Sequence, residues 1–135
     1  MEWIGVDFDR TLAKYDDWID ENTLGEPIPA MIEKVKSWLA DGKKVKIFTA
    51  RVGINNEYST KSKHYANKEF VENQRTIIQD WCEKHIGQRL EVTAVKDFEM
   101  TQLWDDICIQ VIPNKGISIQ ELMESIVGTF KNDRK

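Results

Sequence analysis

The stretch Trp3-Ile4-Gly5-Val6-Asp7-Phe8-Asp9-Arg10-Thr11 decides how the chain is read. A short apolar run that stops abruptly in acid is the pattern of a buried strand with polar groups at its carboxyl end. Residues two apart on a strand point to the same side, so Asp7 and Asp9 can face one site. Outward from this stretch the same arrangement recurs. Val45-Lys46-Ile47-Phe48 is a second strand, ending in Thr49-Ala50-Arg51. Leu90 to Val95 reads as a third, with Lys96 after it. Gln102-Leu103-Trp104 is a short fourth strand ending in Asp105-Asp106, and Ile107 to Ile112 a fifth, closed by Pro113.

Helices fall between and after these strands. Met31, Val35, Trp38 and Leu39 recur at i, i+4, i+7 and i+8, and Gly42 supplies the stop. A long helix runs from about Asn67 to His85, with Phe70, Ile77, Ile78, Trp81 and Cys82 on its apolar side and Gly87 at its end. Ser118 and Glu121 form a capping box for a last helix whose stripe is Ile119, Leu122, Met123, Ile126, Val127 and Phe130. Residues 13 to 29 are polar and close on Pro27 and Pro29, the composition of a loop or small irregular insert. Residues 52 to 66 are a second polar stretch. Alternating strand and helix imply an α/β fold with a mostly parallel sheet and helices on both faces. In such sheets ligands sit beyond the carboxyl ends of the strands, where the strand order reverses.

The 135 residues suit one domain, 1–135, and can bury roughly two-thirds of the unfolded surface. Apolar residues at 41% and charged ones at 31% are wrong for disorder or collagen. A net charge of -4 argues against a nucleic-acid surface over much of the protein. Cys82 and Cys108 make no disulfide framework or metal cluster and read as reduced core thiols of a cytoplasmic protein. Acid arrives too early for a signal peptide, and no apolar run nears the roughly 20 residues of a membrane span.

Asp105 and Asp106 add up to two more acids if they converge on the crevice that Asp7 and Asp9 face. Four carboxylates there need compensation, because like charges held close repel. A hard divalent cation with oxygen ligands answers the need, and Mg2+ is the usual choice where a phosphate completes the shell. Thr49 offers a hydroxyl donor and Lys96 a positive charge. Together these are the parts of a phosphoryl-transfer site.

The chain resembles the haloacid dehalogenase (HAD) superfamily. Asp7-Phe8-Asp9-Arg10-Thr11 is similar to its first motif, Ile47-Phe48-Thr49 to the second, Lys96 to the third, and Leu103-Trp104-Asp105-Asp106 to the fourth. The resemblance spans Asp7 to Asp106 and is nearest to small phosphatase-like members of phage and bacterial type. It implies a Rossmann-like three-layer sandwich with a five-stranded sheet of order 5-4-1-2-3. It implies Asp7 as the nucleophile that becomes an aspartyl-phosphate and Asp9 as general acid and base. Thr49 would bond a phosphoryl oxygen, and Lys96 would balance charge, although Lys84 or a loop lysine could stand in. It implies Mg2+ held by Asp7, the Asp9 backbone carbonyl and the pair Asp105 and Asp106, with Asp106 direct and Asp105 through water. Arg10, Thr11, Ala50 and Arg51 are the expected substrate contacts. Arg10 departs from the family, which commonly has Gly there for a special turn.

The gap from Leu12 to Pro29 and the loop after Arg51 are each too short for a folded cap, so the resemblance implies a capless, open site. Open sites suit bulky substrates such as nucleic-acid ends or phosphoproteins, while some act on small molecules, a nucleotide among them, or close by oligomerising. The loop residues Tyr58, Lys61, Lys63, His64, Tyr65 and Lys68 could track a phosphate backbone, against the plainer reading of a solvated loop. His64 and His85 read as bystanders, Trp38 and Trp81 as core, and Trp18 as lining the site entrance or packing the insert. A response-regulator receiver uses similar residues, but its acidic pair comes early and its phosphoacceptor mid-chain. A weakly catalytic HAD-like phosphate- or nucleotide-binding protein and a mutase are the remaining rivals.

Overall fold

The computed structural model describes residues 1–53 and 68–133, with side chains to residue 128 in the last helix. The elements in chain order are β1 (Trp3–Val6), α1 (Pro29–Ala40), β2 (Lys44–Phe48), a 3-10 turn (Ala50–Val52), α2 (Lys68–His85), β3 (Glu91–Thr93), β4 (Met100–Trp104) and α3 (Ile119–Asp133). Among the described strands every pairing within the sheet is parallel, and the sheet order is β3-β2-β1-β4. This is an α/β fold on a parallel sheet, as the alternation of strand and helix requires.

The register decides which side chains share a face. Ile4 pairs with Val45 and Val6 with Ile47, so these four project together. They are buried with Val92 of β3, with Met31, Ile32 and Val35 of α1, and with Val71, Ile78, Trp81 and Cys82 of α2. Both helices therefore cover one face of the sheet. On the other face lie Trp3 and Lys46, whose ammonium sits 4.5 Å from the Trp3 ring centroid. The connection 94–99 serves this second face: Asp97 accepts from Trp3 Nε1 at 2.9 Å and pairs with Lys46 at 4.0 Å. The described residues put no helix there, because residues 94–99 are too few to form one and still cross from β3 to β4.

Among the described residues four strands form, not five, and the expected fifth strand is missing from the edge beside β4, so the order 5-4-1-2-3 is not the one adopted. The apolar run Ile107 to Ile112 is largely exposed and makes one isolated bridge, Val111 to Ser118. Its backbone is engaged locally. Ile112 N donates to Ile117 O at 2.8 Å and Ile119 N to Gln110 O at 2.9 Å, around a turn with Asn114 and Gly116 at positive φ. The Asp105 carboxylate accepts from Ile107 N at 3.0 Å and bends the chain as it leaves β4. Alternating hydrophobicity reported a strand-like run but not where its hydrogen bonds would go.

The insert after β1 is a pin closed by Lys14 N to Glu26 O at 2.8 Å and Ile28 N to Leu12 O at 2.9 Å. Gly25 is obligatory in it: a Cβ there would stand 1.7 Å from the Lys14 carbonyl oxygen. Its own carbonyl accepts from Trp81 Nε1 at 2.9 Å, which ties the pin to α2. Gly25→Ala should therefore cost about 2–3 kcal/mol, read as a lower urea midpoint with an unchanged slope.

Other sequence expectations divide. The capping box forms, with Ser118 N to Glu121 Oε2 at 3.1 Å and Glu121 N to Ser118 Oγ at 3.0 Å. Trp81 and Cys82 are buried, and Trp38 packs on the core. Cys108 is exposed rather than core. The α3 stripe, expected to be structural, is exposed from Ile119 to Val127. Tyr58, Lys61, Lys63, His64, Tyr65 and the side chain of Phe130 lie outside the described residues. No described helix is long and apolar enough to cross a membrane.

Candidate functional site

The register that builds the sheet also assembles the acids. Val6 pairs with Trp104, and Asp7 N donates to Trp104 O at 2.8 Å, so the next residues on β1 and β4 emerge side by side. These are Asp7, Asp105 and Asp106. One carboxylate oxygen from each lies within 4.8 Å of the other two. β1 sits between β2 and β4, and the acids leave the carboxyl ends of two neighbouring strands.

This crowding acts on Asp7. Its carboxyl is pushed up to about 7, first by burial, then by the charge of Asp105 and a hydrogen bond shared with Asp106. The Thr11 hydroxyl, which donates to Asp7 Oδ2 at 3.2 Å, and the Phe8 backbone oppose the rise without cancelling it. Three hard oxygen donors with unrelieved negative charge fit a small divalent cation, which would stabilise all three as carboxylates.

Asp9 is placed differently. Its carboxylate is not in the acid cluster but is gripped by Arg51, Nε to Oδ2 at 2.7 Å and Nη2 to Oδ1 at 2.8 Å. Arg51 Nη1 donates to Gln74 Oε1 at 2.8 Å, and Gln74 Nε2 donates to Glu21 O at 2.6 Å. Gln74 is fully buried, so its amide depends on these two partners. The guanidinium also lies 5.1 Å from the Trp18 ring centroid and 6.0 Å from those of Phe8 and Tyr15. Trp18 lines a cavity of about 380 Å³ with Tyr15 and Arg51 at its wall.

Thr49 is buried at the end of β2, and its hydroxyl accepts from Arg51 N at 3.2 Å, leaving its own proton for a further acceptor. Ala50 begins the 3-10 turn. Lys96 is exposed in the 94–99 connection, and among the described residues no hydrogen bond or ion pair joins it to the acids. The structure thus brings together Asp7, Thr11, Asp105 and Asp106 in one group and Asp9, Thr49 and Arg51 in another. Gln74, Tyr15 and Glu21 belong to the second group and were not singled out in the sequence. Gln74 left a signal there: a polar residue four places from both Phe70 and Ile78 sits on the apolar stripe of α2.

Arg10 takes the special turn in place of glycine, at φ 72. Its N–H donates to Ala13 O at 2.8 Å, and its guanidinium sits 5.4 Å from the Tyr15 ring centroid. A left-handed non-glycine residue costs roughly 1–2 kcal/mol. The ring contact returns about 0.5 kcal/mol, and glycine loses more chain entropy on folding. Arg10→Gly should therefore leave stability equal or raise it by up to about 1 kcal/mol, checked by chemical denaturation.

No family model and no curated protein matches the chain. Among solved structures it is similar to a conserved protein coded by a locus of Bacteroides thetaiotaomicron. The identity is 19% over 91% of this chain and 89% of that one, with a TM-score of 0.48.

Proposed function

We propose that the protein is an HAD-type phosphohydrolase that cleaves phosphomonoesters through an aspartyl-phosphate on Asp7. The observation that carries this reading is the convergence of Asp7, Asp105 and Asp106 within 4.8 Å at the ends of adjacent parallel strands. The order of the motifs along the chain supports it as well.

The chemistry follows from the side chains. A carboxylate oxygen of Asp7 attacks phosphorus, and the bond to the leaving oxygen breaks. Asp9 gives that oxygen a proton. Water then attacks the phosphorus of the acyl phosphate, giving its proton to Asp9, and the Asp7 carboxylate returns with release of phosphate. Thr49 donates its hydroxyl proton to a phosphoryl oxygen, and Arg10, Thr11 and Ala50 are the further contacts expected from the motifs, while the charge role expected of Lys96 requires it to leave its exposed place in the 94–99 connection. Mg2+, held by Asp7, Asp105, Asp106 and the Asp9 backbone, would offset the charge gathered on the phosphate and the acids. For Asp9 to reach a leaving group it must exchange the Arg51 guanidinium for substrate, and a phosphate is the natural replacement partner for that fork.

The grip of Arg51 on Asp9 also favours a second reading, a phosphate- or nucleotide-binding protein with little catalysis. The two separate in one experiment: aryl phosphate hydrolysis with Mg2+, with and without chelator, alongside calorimetric binding of phosphate and nucleotides. Turnover that disappears with chelator and with Asp7→Asn supports the hydrolase. Binding without turnover supports the alternative. Turnover indifferent to both changes overturns the Asp7 mechanism.

A further inference from the structure

The chain after β4 carries an apolar face that the described body does not cover. Ile107 and Ile109 are 79% and 77% exposed, and Met123 and Ile126 of α3 are 61% and 59% exposed. Val111, Val127 and Leu122 are exposed as well, and Val127 lines one groove with Ile109 and Met123. Taken over these residues, the exposed area is roughly 700 Å², just above the roughly 300–600 Å² of the largest patch on a typical monomer. With the polar groups at its rim it comes close to the roughly 800 Å² that each partner contributes to a stable interface.

The patch has a shape. A groove of about 680 Å³ runs between residues 108–110 and α3, floored by Ile109, Ile119, Met123 and Val127. The surface therefore offers both an amphipathic helix and a groove able to receive one. A face that is at once ligand and receptor is self-complementary, which is what an isologous two-fold contact requires. Among the described residues no strand pairs with the outer edge of β4, which lies at the start of this segment. Charge argues against a lipid surface: from Gly116 to Gly128 the chain carries Glu121 and Glu124 and no Lys or Arg, whereas interfacial helices present basic residues to anionic headgroups.

We propose that the protein is a two-fold homodimer in which the α3 stripe of each copy seats in the groove between residues 108–110 and α3 of the other. The patch is closed by a second copy of the same chain, independently of whether Asp7 is a nucleophile.

Light scattering on a sizing column, from low to high micromolar protein, tests this, together with the concentration dependence of Tm. The native chain should run at twice its monomer mass, and its Tm should rise with concentration. Met123→Glu and Ile126→Glu replace exposed side chains and should each halve the mass while leaving the far-ultraviolet dichroism unchanged. If a variant fails to fold, the mass and the Tm dependence of the native chain still decide. A native chain that is monomeric throughout overturns the proposal. So does a dimer that survives both substitutions, or a monomer that binds vesicles of anionic phospholipid through this helix.

Discussion

Asp7→Asn is expected to remove phosphatase activity and, in metal-free buffer, to make the protein more stable above neutral pH. The two effects have one origin. Asp7 is crowded by burial and by Asp105 and Asp106, so its carboxyl is pushed up to about 7 from an ordinary 3.8. The folded state thus holds the Asp7 proton more tightly than the unfolded chain does. At low pH both states are protonated and the residue is neutral in the balance. As pH rises from about 4 to about 7 the unfolded chain releases its proton first, and stability falls through that window. Above it the full loss is present, on the order of 2 kcal/mol once solvent screening is allowed for. Asparagine keeps an acceptor for the Thr11 hydroxyl and carries no charge, so it escapes the loss. The variant should melt several degrees above the native chain at pH 8 and close to it at pH 4. Mg2+ should raise the Tm of the native chain and do less for the variant. Activity on aryl phosphate should fall at least about a thousandfold. A variant less stable at pH 8, or still active, would count against the crowded site and the nucleophile respectively.

How much of this was legible in the sequence depends on whether a residue's role is local or set by pairing. The run Trp3 to Val6 ending in Asp7 is local, since a strand too short and too apolar for any other role must be buried. The capping box Ser118 to Glu121 is local for the same reason. The meeting of Asp7 with Asp105 and Asp106 needed the strand neighbours as well, and alternation of strand and helix supplied only that the sheet is parallel. The run Ile107 to Ile112 shows the limit. Its composition suits a strand, but the Asp105 turn and the backbone bonds to Ile117 and Ile119 hold it outside the sheet. No pattern of apolar residues encodes that competition. Gln74 shows a signal present but unused. A lone amide in an apolar stripe must find partners if it is buried, and one of them is Arg51, which leaves the same strand end as Thr49. Their sequence separation hid the pairing.

Arg51 is where substitution should do the greatest harm to structure and activity together. Its side chain is 8% exposed, and that of Asp9 25%. One guanidinium engages both oxygens of Asp9 and the carbonyl of Gln74 at once. Arg51→Met removes the fork and leaves a half-buried carboxylate and a fully buried amide each short of a partner. Breaking a buried pair costs roughly 3–5 kcal/mol, and the partial exposure of Asp9 places the expected loss near the lower figure. Arg51→Lys should recover little, because an ammonium keeps the charge but cannot span Asp9 and Gln74 together. Arg51→Met with Gln74→Leu should regain about 1 kcal/mol over Arg51→Met alone, since no buried amide oxygen is then left unpaired. Activity should fall at least about a hundredfold in all three, because the guanidinium fork that would take the substrate phosphate when Asp9 is released is gone. The sign of the double variant discriminates: the second substitution stabilises only if Gln74 is held by Arg51, and destabilises if its contact with Glu21 O is what matters. Urea denaturation of the four proteins, with aryl phosphate turnover measured on the same samples, separates the structural share of the Arg51 clamp from the chemical one.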